Sequence, residues 1–137
     1  MGRRYKFLDK ESRFSALNKV RHAFLAAKNG EEVDTIIGAI LTSDEKTKVG
    51  RRIEIAQHLL EGETFDEIRL GLKVGKDTVS KVEKLLSKNR VGFDLIFNRE
   101  EKVEKEYKDK AYEETGSSKL LHKRIVYTGF RRKDVKR

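Results

Sequence analysis

Apolar positions along most of this chain fall three and four residues apart, the spacing of one face of a helix. Phe14, Leu17, Val20, Phe24 and Leu25 predict a helix over residues 11–28 with those five as its buried face, ended by Asn29-Gly30. Val33, Ile36, Ile37, Ile40 and Leu41 predict a second over residues 31–41, and its acidic start, Glu31-Glu32, complements the helix dipole. Thr42 with Glu45 forms a capping box that opens a third helix, running to about residue 61. Val49, Ile53, Ala56 and Leu60 make its main stripe, and Ile55 and Leu59 widen it. Apolar surface on two sides exceeds what one small core takes up, which points to a partner helix from a second chain. Gly62 sits where a helix C-cap belongs.

The most informative stretch is residues 64–88, TFDEIRLGLKVGKDTVSKVEKLLSK. Thr64 and Glu67 form a second capping box. Phe65, Ile68 and Leu72 then line one face of a short helix. Val74-Gly75 breaks the pattern, and a glycine suits a turn that needs φ > 0. Val79, Val82, Leu85 and Leu86 form the apolar stripe of the next helix, whose other face carries Lys76, Asp77, Thr78, Ser80, Lys81 and Lys84. Two short helices around a tight turn, the second with a polar and basic leading edge, are the parts of a helix-turn-helix that reads a major groove. An ordinary helical hairpin would fit the same apolar spacing. The hydroxyls, acid and lysines of the leading edge favour the DNA reading, because a buried hairpin has no use for them.

Beyond this stretch, Arg90-Val91-Gly92 reads as a break, followed by an apolar cluster of Phe93, Leu95, Ile96 and Phe97. A charged helix is expected over residues 99–115, with Glu101/Lys105, Glu104/Lys108 and Glu106/Lys110 as i,i+4 pairs and a narrow stripe of Val103, Tyr107 and Ala111. Gly116-Ser117-Ser118 is a hinge into the tail KLLHKRIVYTGFRRKDVKR. There Ile125-Val126-Tyr127 suits a short strand, while Lys123, Arg124, Arg131, Arg132 and Lys133 suit phosphates, with Tyr127 and Phe130 to stack on exposed bases. The expected organisation is a basic arm at 1–10, a helical domain at 11–97, a charged helix at 98–116 and a basic tail at 117–137.

Charge sharpens this picture. The chain of 137 residues carries a net +9, with residues 1–28 at +6 and residues 117–137 at +7, so the middle is mildly acidic. Basic ends of this kind follow a polyanion by releasing its counterions, although they also serve solubility alone. With no cysteine, neither a disulfide nor a zinc finger is available. No apolar run approaches a membrane span and no signal peptide is visible, so a cytoplasmic, nucleoid-associated protein is expected. His22, His58 and His122 lie far apart and outside any metal-ligand spacing, so no metal site is expected. No phosphate-loop or nucleophile motif occurs either, and an enzyme is not expected.

Taken together, Leu41-Thr42-Ser43-Asp44-Glu45, Gly50-Arg51-Arg52, Leu59-Leu60-Glu61-Gly62-Glu63 and the run from Lys73 to Lys81 resemble the tryptophan repressor family. The segment from Gly62 to Ile68 looks closer to the repressor-related YerC/YecD branch than to the tryptophan-sensing protein. The resemblance implies an all-α fold, an intertwined helical homodimer whose fourth and fifth helices project as a reading head. To that fold this chain adds a polar C-terminal helix and a basic tail. It further implies a sequence-specific, double-stranded-DNA-binding transcriptional regulator, a repressor acting on a palindromic operator. Lys76, Asp77 and Ser80 match positions that face base edges, with Lys81 beside them, and Thr78 matches a threonine on the DNA backbone. Arg69, Lys73 and Lys84 are further candidates for phosphates. Of the two arginines that clamp tryptophan in the amino-acid-sensing protein, Arg52 matches the first. The second falls on Lys81, which lacks the bidentate fork, and Val82 follows where a small glycine is usual. Arg52 and Lys81 thus mark a candidate effector pocket, but a tryptophan co-repressor is not expected and no other cofactor is implied. A reading from another class stays open: a nucleic-acid-binding assembly or RNA-associated protein whose basic tail makes the main contact.

Overall fold

The first four helices of this chain start at side chains close in sequence. Asp9 caps α1 (Lys10–Ala26) by accepting the Ser12 N–H at 2.7 Å. That bond, reinforced by the Ser12 hydroxyl, holds the Asp9 carboxyl below the usual carboxylate range. Asn29 does the same for α2 (Gly30–Ile40), accepting from Glu32 N–H at 2.9 Å; α1 has already ended at Ala26, so the Asn29-Gly30 pair begins the second helix and does not end the first. α3 (Ser43–Leu60) and α4 (Phe65–Leu72) start in the two expected capping boxes. In both, the threonine hydroxyl accepts from the glutamate N–H at 3.1 Å and the glutamate carboxylate accepts from the threonine N–H at 2.8 Å. α5 (Lys76–Lys88) and α6 (Arg90–Glu106) complete the order. The computed structural model describes residues 5–110 and 112, and among them every regular element is an α-helix. The residues of the expected tail strand, 125–127, lie outside that range.

The chain divides into two compact units, Met1–Val79 and Ser80–Arg137, with the boundary inside α5. In the first, α3 packs on α4, and the buried side chains are Ile55 and Ala56 of α3, Ile68 of α4 and Val79 at the start of α5. In the second, Val82 and Leu86 are buried on α5, and Phe93 and Phe97 stack one helical turn apart on α6 with centroids 6.2 Å apart.

Four expectations need correction. The predicted buried face of α1 is exposed: Phe14, Leu17, Val20 and Leu25 are at least half accessible, and Phe24 is 75 % accessible. The apolar stripe is present, but burial requires an opposing surface, and among the described residues none covers it. Leu85, assigned to the stripe of α5, is also partly exposed, since the buried positions Val79, Val82 and Leu86 follow i, i+3 and i+7 and leave it at the edge. Finally, Arg90-Val91-Gly92 is no break. α6 begins at Arg90 and continues through Gly92, because one glycine in a first turn weakens a helix by only about 1 kcal/mol. An Arg90–Asp94 ion pair at 3.0 Å joins the first two turns. The helix ends at Glu106, so of the three charge pairs expected at helical spacing only Glu101/Lys105 (3.5 Å) lies within it. Lys108 and Lys110 lie beyond its end.

Candidate nucleic-acid interface

The turn between α4 and α5 is built from backbone geometry rather than from its glycine. Lys73 adopts the left-handed conformation, φ 58 and ψ 49, and is the single non-glycine residue with positive φ among the described residues. The Val74 N–H then donates to the Arg69 carbonyl at 3.2 Å, closing the helix end in the manner usual for a left-handed cap. Positive φ was expected near Gly75, which does not adopt it. Gly75 instead offers its carbonyl to the Val79 N–H at 3.2 Å and leads into the first turn of α5. A lysine in the left-handed region costs about 1–2 kcal/mol. A glycine would remove that cost but leave no cation at the turn.

Within the first unit, this turn brings Lys73 next to the exposed leading edge of α5 formed by Lys76, Asp77 and Thr78. Arg69, part-buried on α4, is held by Asp66 in a 3.0 Å ion pair. That ion pair engages the guanidinium that the sequence offers to a phosphate. Ser80, Lys81 and Lys84 follow on the same helix in the second unit, Ser80 part-buried and the two lysines exposed. Asp77 lies in the first unit, and Lys81 and Lys84 lie one turn apart on α5 in the second. Among the described residues, none of Lys73, Lys76, Lys81 and Lys84 forms an ion pair, which leaves four ammonium groups available to phosphates.

Of the candidate effector residues, Arg52 is exposed on α3 in the first unit and Lys81 is exposed on α5 in the second. Its neighbour Arg51 is the one held at home, by Glu54 at 3.0 Å. The tail candidates Lys123, Arg124, Arg131, Arg132 and Lys133 lie outside the described residues.

Sequence reasoning set His58 aside, yet the structure gathers it with two carboxylates at the end of α3. His58 Nδ1 lies 2.6 Å from Glu63 Oε2 and 4.0 Å from Glu61 Oε1. The signal was legible in His58-Leu59-Leu60-Glu61-Gly62-Glu63: a helix closed by a left-handed glycine returns the residue after the glycine to the side of the last turn.

No helix among the described residues is long and apolar enough to cross a membrane. The model of the family described as Trp repressor protein matches residues 15–101. The matched span takes in all of α2, α3, α4 and α5 and most of α1 and α6. The chain is also similar to a protein of Bacillus subtilis (strain 168) described as "Uncharacterized protein YerC". The two are 24% identical over 94 residues, covering 69% of this chain and 90% of that protein. No solved structure matches the chain. A helical chain with capped α3 and α4, a left-handed turn and a basic leading edge on α5, matched by the family model over most of its length, belongs to the Trp repressor family of DNA-binding regulators.

Proposed function

We propose that this protein is a homodimeric transcriptional regulator that binds a palindromic DNA operator through α5 and acts as a repressor. The observation that carries the reading is the solvent-facing, unpaired leading edge of α5, entered through the left-handed Lys73. Lys76, Asp77, Ser80 and Lys81 read base edges. Thr78, Arg69, Lys73 and Lys84 hold phosphates, and the basic ends at 1–10 and 117–137 add affinity without sequence preference. The exposed apolar faces of α1 and α2 support the homodimer, because a second copy is the surface that would cover them. Two heads related by a two-fold axis want half-sites about one helical turn, ~34–36 Å, apart. Such a protein works in the cytoplasm, on the nucleoid.

Tryptophan is not its effector in this reading. Lys81 offers a point charge where a carboxylate clamp needs a planar fork, and Val82 follows it with a branched side chain.

Selection of random duplex DNA by the purified protein at ~0.15 M salt tests the proposal. The expected product is a two-fold symmetric motif, unchanged by added tryptophan. Asp77→Ala should then relax preference at one position of each half-site, by about 1–3 kcal/mol of discrimination. Uniform loss across all sequences would remove Asp77 from base reading. Retention of duplex without an enriched motif would instead shift the main contact to the tail and to RNA.

A further inference from the structure

Away from α5, one other set of chemistry-bearing side chains converges. Just past the Glu61 C-cap of α3 the chain turns at Gly62, whose φ is 89, with the Gly62 N–H donating to the Leu59 carbonyl at 3.1 Å and the Glu63 N–H donating to the His58 carbonyl at 3.2 Å. These two bonds fold the chain back, so that the residue after the glycine lies beside the one five positions earlier. In such helix ends that pair is commonly apolar. Here it is His58 and Glu63, and Glu61 joins them from the helix C-cap. One ligand atom from each of the three lies within 4.8 Å of the other two.

The charges at this point do not balance. Two carboxylates face one imidazole, and among the described residues no lysine or arginine forms an ion pair with Glu61 or Glu63. This occurs in a chain holding 32 lysines and arginines, so a cationic side chain was easily available to the fold. The carboxylates outnumber the imidazole, and the group offers one nitrogen and two oxygens around a common point.

We propose that His58, Glu61 and Glu63 form a binding site for a first-row divalent transition metal, with Zn²⁺ as the favoured ion. The imidazole selects against Mg²⁺ and Ca²⁺, which take oxygen ligands. Tetrahedral zinc with bonds of ~2.0–2.1 Å places its ligand atoms ~3.3 Å apart. The His58–Glu63 hydrogen bond therefore opens by ~0.7 Å and Glu61 approaches by about as much. All three side chains are at least one-third exposed, so small rotations suffice and a water can take the fourth position. Glu63 immediately precedes Thr64, the N-cap of α4. An ion held here ties the end of α3 to the start of α4 and stiffens the joint from which the α4 segment departs. The inference does not depend on the DNA-binding reading.

Calorimetric titration of the full chain with ZnCl₂, and separately with MgCl₂, tests it. The expected result is one zinc per chain, bound at least tenfold more tightly than magnesium, with a higher melting temperature when zinc is saturating. His58→Gln and Glu63→Gln should each weaken zinc by about tenfold or more. Circular dichroism checks that both fold, and the exposed Glu61→Gln serves if either does not. His22→Gln and His122→Gln should leave zinc affinity unchanged. Absence of zinc binding, zinc affinity unaltered in the His58, Glu61 and Glu63 variants, or equal loss in the His22 or His122 variant would mean an adventitious ion only and would overturn the assignment.

Discussion

Phe24→Ala tests the proposed homodimer separately from the stability of the single chain. Phe24 is 75 % accessible on α1, and Leu25 beside it is also exposed. Removing the ring should leave the isolated chain nearly unaffected, and alanine is the better helix former, so α1 itself is not weakened. In a dimer that covers this face, the accessible part of the ring is removed from water. Full burial of a phenylalanine side chain is worth about 1.5–3 kcal/mol, so three-quarters of it contributes about 1–2 kcal/mol. Symmetry doubles the loss, since both copies carry the substitution, giving about 2–4 kcal/mol per dimer. At ~1.4 kcal/mol per decade, the dimer dissociation constant should rise by roughly 30- to 1,000-fold. Sedimentation equilibrium over a dilution series reads this directly, with circular dichroism confirming that helix content is retained. A constant within about threefold of the parent's, in a folded variant, would refute the argument. The apolar face of α1 would then be covered by something other than a second copy.

The local devices carry their own predictions. Thr64→Ala removes the hydroxyl that accepts the Glu67 N–H and should cost about 1 kcal/mol in denaturant unfolding, with faster amide exchange in the first turn of α4. Lys73→Gly relieves the left-handed turn and should stabilise the chain by about 1 kcal/mol. If Lys73 also holds a phosphate, the same change lowers the salt slope of DNA binding by about 1, so stability and affinity move in opposite directions. Asp9 caps α1 with a carboxyl held below its ordinary range, chiefly by the Ser12 N–H. Its contribution is therefore present above the unfolded carboxyl's range and disappears as pH falls through the lower, folded value. Fraying of the first turn of α1 below about pH 4, followed by the Ser12 amide signal, should be absent in Asp9→Asn.

What the sequence by itself determined is the set of features that close within a few residues. The two threonine-glutamate boxes, the glycine end of α3 and the apolar faces of α1, α2 and α3 are all contacts between positions at most five apart. Their geometry follows from helical spacing alone. The resemblance to the Trp repressor family rests in part on these positions, the first capping box and the glycine after α3, and in part on the run from Lys73 to Lys81, so it too was legible in the chain. Other features depend on where the backbone goes next or on which surfaces it meets. The left-handed residue is Lys73 and not Gly75, because the residue that reverses the chain is set by where α4 runs out of carbonyl partners. The capacity of α6 to continue through Gly92 is a balance of about 1 kcal/mol that composition cannot decide. An apolar stripe shows which side of a helix avoids water, but only the folded chain shows whether anything covers it. For α3 and α4 the covering surface is the other helix, and for α1 none is supplied among the described residues. The meeting of His58 with Glu61 and Glu63 likewise required the actual turn at Gly62, since a ligand set is defined by distances between side-chain atoms and not by their order in the chain.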